Sequence, residues 1–157
     1  MIVLVMGVAG AGKTTIGEAL AHSLGWLFID ADDYHPPENV AKMKAGIPLV
    51  DEDRWPWLAR LNEVLREKTD AILACSALKA SYRERLAQGI DGFTTVYLDG
   101  DFALINERMK GRRHRYMPAA LLESQFAALE PPADAIRVDV AADPSSCVAL
   151  IRRRLQQ

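Results

Sequence analysis

The chain has 157 residues, half hydrophobic and a quarter charged, the length and mixture of one globular domain with a single sizeable core. Its net charge of −2 gives no global attraction to nucleic acid or anionic membrane, and no stretch approaches the roughly 20 apolar residues of a membrane span. Cys75 and Cys147 fit no metal or redox spacing and the opening apolar run is too short for a signal peptide, so a cytoplasmic protein is expected.

The first predicted element is a short buried strand, Ile2 to Met6. It runs into Gly7-x-x-x-x-Gly12-Lys13-Thr14, and apolar residues at helical spacing follow from Thr14 to Leu24. Strand, glycine loop and helix together aim backbone N–H groups and a helix N-terminus at an anion. Gly7, Ala9, Gly10, Ala11, Gly12, Lys13, Thr14 and Thr15 are therefore the expected phosphate site. Lys13 is expected to reach the β- and γ-phosphates and the Thr14 hydroxyl to hold Mg²⁺.

A second strand, Leu27 to Ile29, ends in Asp30 and leads to Asp32 and Asp33. If the chain stays extended, alternation turns Asp30 and Asp32 to one side. Asp30 is then expected to act on Mg²⁺ through water, and Asp32 to orient an acceptor hydroxyl and take its proton. The alternative is that these aspartates make caps and turns, and the choice between Asp32 and Asp33 as the base stays open. Residues 31 to 53 form a proline-bearing insertion. Within it His35 starts a short helix with Val40 and Met43 inward and Lys42 and Lys44 outward, and either hydrogen-bonds a polyol or supports that helix. An acidic turn, Asp51 to Asp53, caps a helix from Arg54 to Lys68. Arg54 pairs with a substrate carboxylate or with a neighbouring acid, and Trp55 and Trp57 are expected in the core.

The third strand is Ala71 to Cys75. A helix from Lys79 to Gln88 follows and sets Lys79 and Arg83 at i and i+4, either a cation pair suited to an anionic acceptor or, for Arg83 and Arg85, partners of Glu84 or solvent. The fourth strand is Thr94 to Leu98, ending in Asp99, and a helix covers Phe102 to Lys110. Residues 111 to 118 hold the densest run of Arg and His, expected as a lid whose arginines, Arg112 among them, meet the transferring phosphoryl. Helices from Leu121 to Leu129 and Ser145 to Leu155 flank a fifth strand, Ala135 to Val140. Strands alternating with helices imply βαβ units and a parallel sheet with helices on both faces.

Five blocks carry a specific resemblance: Met6 to Thr15, Asp30-Ala-Asp-Asp-Tyr-His-Pro36, Asn39 to Leu58, Cys75-Ser-Ala-Leu-Lys79 with Tyr82-Arg83, and Ser124-Gln-Phe126 with Leu129-Glu-Pro131. In this order they resemble the gluconate kinase family across nearly the whole chain. The resemblance implies ATP-dependent phosphorylation of D-gluconate at its C6 hydroxyl, with Mg²⁺. It also implies a P-loop kinase-type α/β/α fold of three layers, a five-stranded parallel sheet in order 2-3-1-4-5, and a homodimer. Asp32, His35, Arg54, Lys79 and Arg83 become the expected gluconate site. Arg108, Arg112 and Pro144 join the nucleotide site, with Arg108 and the Asp143-Pro144 turn around the adenine. Ala31 stands where the family usually has glycine, and Arg115-Tyr116 where many members have His-Phe.

Overall fold

The computed structural model describes residues 1–110 and 119–157, so the expected lid, with Arg112 and Arg115-Tyr116, lies outside the described residues. Strands β1 (Ile2–Met6), β2 (Leu27–Asp30), β3 (Ala71–Ala74), β4 (Phe93–Asp99) and β5 (Ile136–Asp139) pair in parallel, in the order β2-β3-β1-β4-β5. That is the expected topology. All five residues of β1 are buried, because neighbours flank it on both edges and helices cover both faces. Burial on both faces is why β1 reads as an unbroken apolar run.

Alternation along β1 divides the core. Val3 and Val5 pack with Ile16 and Leu20 of α1 (Lys13–Leu24), Ile105 of α5 (Phe102–Lys110) and Ile151 of α7 (Pro144–Leu155). Ile2, Leu4 and Met6 pack on the other side with Leu58, Leu61 and Leu65 of α3 (Asp51–Arg66) and Leu86 of α4 (Ala80–Ala87). Each face of the sheet thus has its own apolar layer, giving three layers in all.

Two local expectations need correction. The helix expected from Arg54 begins at Asp51, because the Asp53 carboxylate accepts the Val50 N–H at 2.9 Å and secures the first turn. Pro56 lies inside this helix. In α2 (Pro37–Lys44), Met43 is 44% exposed, and the side turned inward carries Asn39, which is 2% exposed. The Asn39 amide donates to the Asp53 carbonyl at 2.9 Å and lies 3.2 Å from His35 Nδ1, so a polar link ties α2 to α3. Helix α6 (Ala119–Ala128) packs on α5, with Phe126 edge-on to Phe102.

Candidate functional site

The loop between β1 and α1 needs glycine where its backbone turns left-handed. Gly10 has φ 84°, and a β-carbon there would sit 2.6 Å from the Met109 sulfur. Gly12 has φ 99° and caps α1 without a side-chain hydrogen bond, so the helix's first N–H groups face the loop rather than a capping oxygen. Lys13 curls back, its Nζ donating to the Gly7 and Val8 carbonyls at 3.0 Å each. The Ala9 N–H is held from another direction, by Gln125 Oε1 of α6 at 2.7 Å.

Beside this loop opens a cavity of about 410 Å³. Gly10, Gly12, Thr15 and Ile16 line one wall, and Arg108 with the turn from Val140 to Pro144 lines the other. Arg108 donates to the Val140 carbonyl, which fixes the guanidinium across the cavity. Asp143 caps α7 by accepting the Ser146 N–H at 3.1 Å and its hydroxyl at 2.7 Å. Those two bonds hold the Asp143 carboxyl below its usual range, so the turn keeps its shape at neutral pH. Arg108 and Pro144, expected at the nucleotide, therefore line one cavity with the phosphate loop.

After β2 the chain does not stay extended. Residues 31–34 form a 3-10 turn, and Asp30 Oδ1 accepts the Asp32 N–H at 3.0 Å. The strand alternation used to place Asp30 and Asp32 together is thereby corrected: a cap replaces the pleat, which is the local chemistry aspartate favours. The Asp32 side chain is 83% exposed and its Oδ1 lies 3.7 Å from His35 Nε2. The His35 side chain is 4% exposed and stacks on Trp57 at 4.1 Å, and Trp57 Nε1 donates to the Ala31 carbonyl at 2.8 Å. His35 thus reaches Asp32 from a packed platform, and Trp57 is core as expected. Trp55 is not: it is 38% exposed and lies edge-on to Tyr82.

Just past β3, burial pushes the Cys75 thiol up to about 12, while Lys13 lowers it and Asp32 and Asp30 raise it. Lys13 follows β1, and Asp30 and Asp32 follow β2, so all three charges lie at the sheet's carboxyl edge, where open α/β sheets hold ligands. Among the described residues no three His, Cys, Asp or Glu side chains could form a metal site by themselves. The Thr14 hydroxyl and the Asp30 carboxylate, the groups expected at Mg²⁺, are both hard oxygen donors of the kind that ion prefers.

Past the end of β3, Arg54 and Lys79 meet at Asp51. Lys79 Nζ lies 3.4 Å and Arg54 Nη1 3.5 Å from the Asp51 carboxylate, which also accepts the Tyr82 hydroxyl. Both cations sit over the Tyr82 ring, at 5.4 and 5.6 Å. The Tyr82 hydrogen bond and the two cations hold the Asp51 carboxyl below its usual range, and Tyr82 and Asp51 push the Lys79 ammonium up. Arg83 is placed otherwise. Its guanidinium donates to the carbonyls of Ala77 and Leu78, at 2.8 and 3.1 Å, and of Glu130, at 2.8 Å. The expected Lys79–Arg83 pair is thus divided, because three backbone acceptors claim Arg83. Ala77 has φ 45°, a strained value for a residue with a side chain, and the Arg83 bonds pin it there.

The phosphate loop, Asp30 with Asp32, and the Arg54–Lys79 cluster accordingly share the carboxyl edge of the sheet. Two contributors were missed by sequence reasoning. Gln125 appears in the sequence only as a family-like residue, since a lone glutamine on a helix gives no sign of a partner 116 positions away. Asp51 reads as a helix cap; the alternative expected for Arg54, a pair with a neighbouring acid, is the one found, but the sequence did not single out which acid.

A family model described as shikimate kinase matches residues 9–129. The chain is 43% identical to a probable gluconokinase of Xenopus tropicalis, with 96% of this chain and 91% of that protein covered. It is 46% identical to the thermosensitive gluconokinase of Escherichia coli K12, over 87% of this chain and 78% of that one. The crystal structure of a gluconokinase from Sinorhizobium meliloti 1021 superposes with a TM-score of 0.89 at 42% identity, covering 98% of this chain and 93% of that one.

Proposed function

The chain belongs to the gluconokinase family, and from that membership we propose that it transfers the γ-phosphoryl group of ATP to the C6 hydroxyl of D-gluconate. The observation that carries the reading is that three adjacent strands end together at one edge: β1 in the phosphate loop with its adjoining cavity, β3 in the segment leading to the Arg54–Lys79 cluster, and β2 in Asp30 and Asp32. A donor site, a base and an anchor for an acid are thereby brought to one edge of the sheet, as phosphorylation of a sugar acid requires.

In this mechanism the adenine enters the cavity between Arg108 and the Asp143–Pro144 turn. The open N–H groups at the start of α1 cradle the phosphates, and Lys13 exchanges its two carbonyl partners for phosphate oxygens. Thr14 and, through water, Asp30 would hold Mg²⁺, which neutralises phosphate charge when bound. Arg54 and Lys79 hold the gluconate carboxylate. Asp32, steadied by His35, orients the C6 hydroxyl and takes its proton as the new phosphorus–oxygen bond forms and the bond to the β-phosphate oxygen breaks. ADP and 6-phospho-D-gluconate leave. Arg112 is assigned to the transferring group by sequence alone. A homodimer and a cytoplasmic location, beside the ATP supply, complete the reading.

Coupled ADP release over a panel of sugar acids tests it. Gluconate should be turned over and shikimate, included because of the matching family model, should not. Absence of turnover on gluconate alone among the panel would sink the acceptor assignment.

A further inference from the structure

The cations assigned to the acceptor's carboxylate already share a resident one. Asp51 opens α3, its side chain is 40% exposed, and it takes the Tyr82 hydroxyl, Lys79 at 3.4 Å and Arg54 at 3.5 Å. A helix-start acid needs a single partner for stability, yet donors from α3, from α4 and from the residue capping α4 converge on this one. Neither cation is exhausted by the contact. A guanidinium offers five N–H donors and an ammonium three, and among the described residues the partners of Arg54 and Lys79 use few of them. Asp51, Arg54 and Lys79 together therefore keep spare donors for a second carboxylate, at a net charge of one positive.

Resting on the acceptor reading above, we propose that Asp51 is the charge-setting specificity residue of the acceptor pocket. Its carboxylate offsets one of the two cations, so that the pocket accepts a polyol bearing one negative charge and discriminates against one bearing two. With a singly charged acid in place the cluster is neutral; a doubly charged acid leaves an uncompensated carboxylate near Asp51, where like charges repel at short range. Tyr82 has the complementary part. Its hydroxyl holds Asp51 to one side of the cations while its ring backs both of them.

The test is calorimetric titration of the full chain with gluconate, with glucarate and with sorbitol. Glucarate is the six-carbon dicarboxylate, with no terminal hydroxyl to phosphorylate, and sorbitol is uncharged. Asp51→Asn keeps the shape and an acceptor for the Tyr82 hydroxyl while removing the charge. It should tighten gluconate about threefold and glucarate at least about tenfold, and leave sorbitol within about twofold. A purely structural role for Asp51 predicts the opposite, weaker binding of all three. The proposal is overturned if Asp51→Asn weakens gluconate, or if the glucarate-to-gluconate affinity ratio moves by less than about twofold. Should that variant fail to fold, Asp51→Ser, which suits a helix start, is read by the same ratio. The readout is equilibrium binding, so a failure of gluconate turnover and a failure of the role given to Asp51 register separately.

Discussion

Arg83 illustrates how far one side chain's role depends on what surrounds it. Its three carbonyl partners belong to Ala77, Leu78 and Glu130, and its half-burial lowers the guanidinium's pKa from the usual arginine value. Arg83→Gln loses charge-assisted bonds that hold the loop carrying Lys79, and should destabilise the chain by about 2 kcal/mol. Denaturant titration checks that, and the KM for gluconate should rise several-fold with kcat less affected, because the loss reaches the acid through Lys79 rather than directly. Asp32 behaves differently. It is exposed and sits in a 3-10 turn held by Asp30, so Asp32→Asn should leave stability and ATP affinity within a few-fold. Turnover should nevertheless fall by at least about a hundredfold, the scale of a lost general base. Equal loss of ATP binding in a direct titration would place Asp32 at the nucleotide instead.

At the scale of elements, α6 joins parts that the sequence keeps far apart. Gln125 holds the Ala9 N–H of the phosphate loop. A turn later the Glu130 backbone N–H meets the Leu78 carbonyl at 2.8 Å, and its carboxylate accepts the Ala80 N–H at 2.7 Å. Leu122 and Phe126, on either side of Gln125, pack the helix against the core that includes α5. Gln125→Leu removes the acceptor from a loop N–H at a cost of about 1 kcal/mol. The phosphate loop loses its outer tether, so kcat should fall more than the ADP dissociation constant rises, which steady-state kinetics beside calorimetry would resolve. Helix boundaries also reveal what propensity misses. The start of α3 moved from Arg54 to Asp51 because Asp53 reaches back to Val50, a contact visible only once the turn has formed.

For the whole molecule, stability should be level between about pH 5 and pH 8 and fall on either side. On the acid side, Asp51 is held down by Tyr82 and Lys79, Asp53 by the Val50 N–H and Lys42, and Asp143 by Ser146. Their folded pKa values lie below the unfolded value of 3.8, so their contribution is present above that pH and is lost as pH drops through the folded values. On the alkaline side, burial raises the Cys75 thiol from 9.0 to about 12. The unfolded chain therefore releases that proton first, and stability declines as pH rises past 9.0. Thermal unfolding across pH checks both limbs: Asp143→Asn should flatten the acid one and Cys75→Ala the alkaline one.

The sequence alone determined the sheet, its order through family resemblance, and the phosphate loop. These depend on local grammar: a doubly buried strand must be apolar throughout, and a loop wrapped around phosphate must have glycine where φ is positive. Residues 2 to 15 therefore declare their structure without help from elsewhere. Tertiary structure decided which acid meets which cation. Asp51 drew Arg54 and Lys79 together, Glu130 and its neighbours took Arg83 away, and Gln125 reached across to Ala9. A side-chain charge is satisfied by whichever partner the packed helices bring within about 3 Å. That proximity is set by the whole sheet and its two helical layers, and no spacing along the chain encodes it.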